Sequence, residues 1–505
     1  MLRITNIPRK DYPGRDKIKM ADEVFFDKEY LESLSKDELV LRVMQIQKEK
    51  EEVVLKLSEK ENTKEGKEFS ASPSSSGHLG EANKKSKQKK SQNKPFDFTR
   101  YNKRHVALMV AYLGWDMHGF AAQENINSTV ESYLFDALMK GRLVQTREGA
   151  NYSRCGRTDK GVSAFRQVVS LDVRSNLSEG IGVIKTKDCA DEQENSKDTK
   201  ELPYVQILNN LLPNEIRVLS WAPVGCDFDA RFSCTYRKYK YYFPAANLDL
   251  TRMNEAAKKL EGEHDFRNFC KMDIANGVMS FKRAIISFTV NKIAAGNEDT
   301  ESEIWEEEEG VKPPHNGYEM CEAVILGSAF LWHQVRCMVS VLLMIGQKLE
   351  EPEVIDWLLD TDLCPQRPQY NMALEFPLVL YDCVYEDLSW VHEPHITESL
   401  IKHLQQIWTV HSVRATITKS LINLINNDVI SQSERTEVDS SGSEQQQTFN
   451  QTNFLIPGES FKSHKKLKKR ALCESFEQKL QNINFKRKRK GKEVLDPDKI
   501  TEKKR

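Results

Sequence analysis

The apolar residues of this chain gather from Phe96 onward, and their spacing alternates between two patterns. His105 to Tyr112 is apolar at nearly every position, which predicts a strand covered on both faces. Gln167–Val173 and Ile216–Val224 read as further strands. Between them Ser128 opens a helix with Val130, Leu134, Leu138 and Met139 on its inner side, ending near Gly141. Tyr204–Leu212 is helical and stops before Pro213, and Asn254–Leu260 is a further helix. A strand pair around Arg283–Asn291 and a strand at Cys321–Gly327 follow, then a helix from Phe330 to Ile345, apolar almost all round and therefore buried. A helix ending at Leu358–Asp362, a buried strand over Met372–Tyr381 and a helical stretch from past Ile396 to about Asn426 complete the pattern.

Polar stretches frame and interrupt these elements. Leu39, Val43, Ile46, Val53 and Leu57 trace a short coiled coil or an amphipathic helix behind a Ser35/Glu38 capping box, with Lys50 breaking its seam. Glu61–Asn93 has the composition of a disordered linker, and Leu177–Pro203 that of an insertion. Asn297–Gly310 holds eight acidic residues, a solvated loop expected to face away from any nucleic acid. The formal net charge of −1 over 505 residues therefore misleads, because Phe461–Arg505 carries 17 basic and six acidic residues. Its runs Lys465–Arg470 and Lys486–Lys490 are of the nuclear-import or RNA-binding type, and composition does not separate the two uses. No run of 18 apolar residues exists, so no membrane helix is expected. Ten scattered cysteines, without a CxxC pair or zinc spacing, suit free thiols in a reducing, intracellular setting.

Three stretches carry candidate chemistry. In Ser153–Ala164 one carboxylate, Asp159, sits among Arg154, Arg157 and Lys160, with Gly156 and Gly161 bracketing the turn. Nearby cations favour the ionised form, so Asp159 is expected to be an anion able to meet a polyanion. Thr-Asp-Lys-Gly is equally the composition of an ordinary solvated β-turn. In Tyr236–Phe243, period two puts Arg237, Tyr239, Tyr241 and Phe243 on one face and Lys238, Lys240 and Tyr242 on the other. Aromatics interleaved with cations suit base stacking beside phosphate contacts, and also suit an ordinary core strand. In the Phe330–Ile345 helix, Arg336 requires an acid as partner if it is buried. Asp159 is the candidate, the alternatives being a structural acid or escape of the side chain to the surface. His333 reads as a satisfied core histidine rather than a metal ligand.

In order, Arg157–Ala164, Ala230–Ser233 with Arg237–Tyr241, and Ala329–Arg336 resemble the TruA family of tRNA pseudouridine synthases, as does the opening turn from Tyr112 to Gln123. The likeness spans roughly Phe96–Asp387. Cys155–Arg157, Asn268–Gly277 and Glu375–Cys383 resemble the eukaryotic branch that acts at tRNA positions 38 and 39. The resemblance implies an α+β fold in which two similar halves form one extended, mostly antiparallel sheet with flanking helices and a central basic cleft. It implies that uridine is isomerised in the anticodon stem-loop, with Asp159 attacking C1′ or C6. It further implies that Tyr239 stacks on the base and takes the C5 proton, and that Arg336 pairs with the carboxylate. Arg157 would help to extrude the uridine, and Lys160, Arg154, Tyr241 and Arg237 are expected to bind the substrate. The reaction is neither redox nor phosphoryl transfer, so no cofactor or metal is implied. The partners implied are tRNA and a second copy in a homodimer, with no membrane, in nucleus and cytoplasm.

The expected organisation is an N-terminal region to residue 96, catalytic halves over 97–247 and 248–388, a helical extension over 389–430, and a disordered basic tail over 431–505. Three other readings stand beside it, the first a pseudouridine synthase of the same family acting at other tRNA or RNA positions. Cys155, between Arg154 and Arg157, suits the thiolate of a pyrimidine methyltransferase, but the only Gly-x-Gly, Gly180–Gly182, lacks the third glycine of a cofactor loop. An RNA-binding scaffold would use the Leu39–Leu57 helix and the tail, and would have no need of Arg336 opposite Asp159.

Overall fold

The doubly apolar run at His105 becomes the strand on which the first half of the sheet is built. The computed structural model describes residues 96–124, 126–186, 200–293, 317–436, 451–459 and 463–496. The expected Leu39–Leu57 helix, the Ser/Lys-rich linker and the acidic stretch at 297–310 lie outside them. Ten described strands form one sheet: β1 (Asn102–Tyr112), β2 (Ser153–Arg154), β3 (Ser163–Ser175), β4 (Val183–Ile184), β5 (Ile216–Pro223), β6 (Tyr236–Pro244), β7 (Gly262–Asp265), β8 (Lys282–Lys292), β9 (Met320–Gly327) and β10 (Leu378–Val384). The order is β4-β1-β3-β10-β6-β9-β8-β7, with β5 also on β1 and β2 on β3. Every pairing is antiparallel except β3 with β10.

The α-helices are α1 (Val130–Lys140), α2 (Tyr204–Asn209), α3 (Leu250–Lys258), α4 (Gln334–Gly346), α5 (Val354–Leu359), α6 (Pro394–Thr436) and α7 (Phe476–Arg489). The fold is α+β, a large, mostly antiparallel sheet with flanking helices. Its apolar residues make two clusters. One draws on β1, β3, β5, α1 and α2, the other on β6, β8, β9, α3, α4 and α5. Tyr239 packs against both. It also lies on one rung across the join, because Leu380 of β10 is opposite Ala164 of β3 on one side and Tyr239 of β6 on the other. Among the described residues, no helix is long and apolar enough to cross a membrane.

Four expectations need correction. Helix α4 begins at Gln334, not Phe330, because His333 is in the left-handed region (φ 63°) and ends the preceding turn. The last strand begins at Leu378, not Met372: Pro377 has no N–H for a ladder, and the residues before it bond elsewhere. On α1, Met139 is 40% exposed, and Phe135 and the carboxylate of Glu131 are buried instead. The tail is not disordered where it is described. Leu455, Ile456 and Leu467 are buried in the second cluster, and α7 opens on a complete capping box at Ser475 and Gln478.

Candidate active site

The loop between β2 and β3 is fixed by the aromatic turn that follows β1. Tyr112 Oη and Thr158 Oγ1 are 2.8 Å apart, and Phe120 N–H donates to the Thr158 carbonyl at 3.2 Å. Gly161 N–H donates to the Met117 carbonyl at 3.1 Å, and Gly114 N–H to Ser163 Oγ at 2.9 Å. The approach is close enough that a Cβ at Gly114 would fall 2.0 Å from the Val162 carbonyl oxygen. Gly161 has φ +80°, and a Cβ there would meet Glu375 Cγ at 2.6 Å. The loop also crosses the join of the sheet: Cys155 and Ala164 are buried in the first cluster, Val162 in the second. Asp159 is thereby held at the seam.

The residues that meet Asp159 come from the turn before α4 and from α4 itself. Trp332 Nε1–H donates to Oδ1 at 3.1 Å, and His333 Nε2 lies 3.4 Å from Oδ2. Arg336 Nη1 stands 3.8 Å from Oδ2. Its stronger bonds go elsewhere: Nη2 donates to Glu375 Oε2 at 2.8 Å and Nε to the Ala373 carbonyl at 2.7 Å. The Lys271 ammonium stands 4.2 Å from the centre of the Trp332 ring. The Tyr239 ring meets Phe330 edge-on at 4.9 Å.

Charge at the site is finely opposed. Burial pushes the Asp159 carboxyl above the ordinary aspartate range and Glu375 adds to this, while Arg336, the Trp332 N–H and Lys271 pull it down. Burial, then Arg336 and Lys271, lower His333 to about 4, so its imidazole is neutral at neutral pH. Burial raises the Tyr239 phenol far above its usual value and keeps it protonated. The arrangement offers a quarter-exposed, weakly paired carboxylate beside an aromatic ring and a fixed guanidinium.

A family model described as tRNA pseudouridine synthase matches residues 256–386. The tRNA pseudouridine(38/39) synthases of Bos taurus and Homo sapiens are each 44% identical over 391 residues, covering 77% of this chain and 78% of theirs. That of Saccharomyces cerevisiae is 42% identical over 320 residues, covering 62% of this chain and 64% of its own. The chain belongs to the tRNA pseudouridine synthase family.

Within that family membership, the sequence-predicted residues divide. Asp159 and Arg336 face each other at the seam, and Tyr239 lies on the rung that crosses it, its ring against Phe330. Arg157 and Lys160 are exposed on the same loop. Arg154 turns away, into an ion pair with the buried Glu131, because a carboxylate without solvent demands the nearer cation. Arg237 bonds to the carbonyls of Ser328, Cys155 and Arg231, so it ties three segments together and is not free for phosphate. Tyr241 is fully buried in the second cluster, so its side chain does not line an open surface. Cys155 is also buried, beside Cys234 and Cys383, which removes it as an exposed nucleophile. Sequence reasoning missed Glu375, Trp332 and Lys271 as site residues. Arg336 was the available signal, since one buried arginine often needs more acceptors than one carboxylate supplies.

Proposed function

We propose that this protein isomerises uridine to pseudouridine at positions 38 and 39 in the anticodon stem-loop of tRNA. The observation that carries the reading is the Asp159 site, in a chain 44% identical to enzymes named for that activity. Asp159 is the proposed nucleophile. Its weak pairing leaves lone pairs for attack on C1′ or C6, and Arg336 orients it and stabilises its charge. The N1–C1′ bond breaks, the base turns, and C5 joins C1′ with loss of the C5 proton. Tyr239 stacks on the base. As its phenol is protonated in the free protein, it passes its own proton to solvent and is restored by the proton it takes from C5. A stacked uridine must first leave the helix, at a cost of a few kcal/mol offset by stacking and phosphate contacts. Arg157, Lys160 and Lys271 are the proposed cations for those contacts.

The protein acts, in this reading, as a homodimer. Helix α6 supports it by exposing Ile401, Leu404, Trp408, Ile417, Leu421 and Leu424, an apolar stripe of the kind two copies bury together. Mapping pseudouridine by carbodiimide-dependent reverse-transcription stops tests the reaction and its position. Stops at 38 or 39, formed by the wild type and absent with Asp159→Ala, are expected. Stops elsewhere would overturn the position, and no stop despite tight binding would overturn the reaction.

A further inference from the structure

The strip Arg367–Glu375 lies between α4 and the C-terminal segment. Toward α4, Ser340 Oγ donates to the Asn371 carbonyl at 2.6 Å and Ala373 N–H to the Arg336 carbonyl at 3.2 Å. The same strip supplies both acceptors that fix the Arg336 guanidinium, the Ala373 carbonyl and Glu375. Toward the C-terminus, Leu374 N–H donates to the Leu455 carbonyl at 2.8 Å and Asn371 N–H to Glu459 Oε1 at 3.1 Å. Gln369 N–H donates to the Ala471 carbonyl at 2.8 Å, and Cys473 N–H to the Arg367 carbonyl at 2.8 Å. The strip belongs to no strand, so these bonds take the place of a ladder for its backbone.

The segment beyond is itself anchored. Leu455 and Ile456 are 4% and 0% exposed, and Leu467 is 0% exposed. The buried carboxylate of Glu350 accepts from Leu467 N–H at 2.8 Å and lies 2.7 Å from His464 Nε2. Arg470 Nη1 closes on both oxygens of Glu459, at 2.8 and 2.9 Å. Glu459 is thus the pin: one carboxylate joins the strip at Asn371 to the tail at Arg470.

We propose that residues 451–459 and 463–473 brace the active site, with Leu455 and Glu459 as positioning residues that hold Ala373 and Glu375 where they aim Arg336 at Asp159. The proposal rests on the reading of Asp159 and Arg336 given above. A loosened strip lets the guanidinium turn from Asp159, whose carboxyl then loses a counter-charge and titrates still higher. Neither positioning residue is among the partners of Asp159 or the proposed tRNA-contacting cations, so tRNA binding is expected to hold.

The test compares full-length wild type, Glu459→Ala, Glu459→Gln and Leu455→Ala. Glu459→Ala and Leu455→Ala are expected to lower kcat about ten- to a hundredfold, with KM for tRNA within about twofold and the acid limb of the pH–rate profile moved to higher pH. Glu459→Gln keeps an acceptor for Asn371 N–H and restores most of the rate. Amide exchange at Leu374 is expected to quicken in Glu459→Ala while exchange in β1 stays as in the wild type. A wild-type rate and unmoved acid limb in the alanine variants, a loss carried by KM alone, or unchanged exchange at Leu374 would each overturn the brace. The exchange arm needs no turnover, so a wild type that forms no pseudouridine would refute the proposed reaction and leave this arm to decide the brace.

Discussion

Glu131 and Asp159 are both carboxylates drawn to arginines inside the protein, and they are held to opposite effect. Glu131 is fully buried and meets Arg147 at 2.5 Å, Arg154, and the Ala122 N–H at 2.8 Å. Burial pushes its carboxyl up, but the Ala122 N–H and the two guanidiniums outweigh burial and hold it below the ordinary glutamate range. Asp159 keeps about a quarter of its side chain exposed, with one indole N–H and an arginine 3.8 Å away that binds Glu375 more closely. There burial wins, and the carboxyl is raised. A satisfied carboxylate is spent on structure, whereas an under-satisfied one retains lone pairs of the kind the proposed attack on carbon needs.

Removing each partner in turn sharpens the contrast. Glu131→Gln leaves Arg154 and Arg147 facing a neutral group, and stability to denaturant should fall by about 3–5 kcal/mol, while the folded fraction keeps its rate. Equal stability would mean that the buried cluster is not structural. Arg336→Lys keeps a charge but loses the fork that reaches Ala373 and Glu375 together, so the rate should fall about a hundredfold with tRNA affinity held. Glu375→Gln removes a charge that raises Asp159. The acid limb of the pH–rate profile should therefore move to lower pH, opposite to the shift expected of Glu459→Ala, with a rate loss of about tenfold.

The smallest effect concerns stability at Asp159 itself. The folded pKa lies above the unfolded value, so at neutral pH the ionised carboxylate disfavours the fold. Asp159→Asn should raise Tm by about 1–2 °C at pH 7. The gain should shrink as pH falls into the range where the wild-type carboxyl is itself protonated. A lower Tm at pH 7 would place Asp159 with Glu131, among the structural acids.

Arg336 was legible in the sequence because a lone guanidinium in a helix apolar all round demands an acid. Asp159 was legible through its turn, but its partners were not. Chain neighbours suggested Arg154, and the fold gives Arg154 to Glu131, an acid that in sequence reads only as a first-turn helix residue. Period two placed Tyr239 and Tyr241 on the same face and did not show that one is buried in a single cluster while the other packs against both at the seam. Glu375 was hidden in a stretch read as strand, although the strand starts only after Pro377. The tail misled by composition: a few buried apolar residues and one pinning carboxylate order a segment whose average is polar and basic.

The most direct measurement is tritium release from tRNA carrying [5-³H]uridine, under single turnover, by wild type and Asp159→Asn, with tRNA binding measured alongside. The account predicts release by the wild type and a fall of at least about 10⁴-fold in Asp159→Asn, with affinity for tRNA within about threefold. Release by Asp159→Asn at a rate near wild type would contradict it, since the proton would then leave C5 without the carboxylate at the seam.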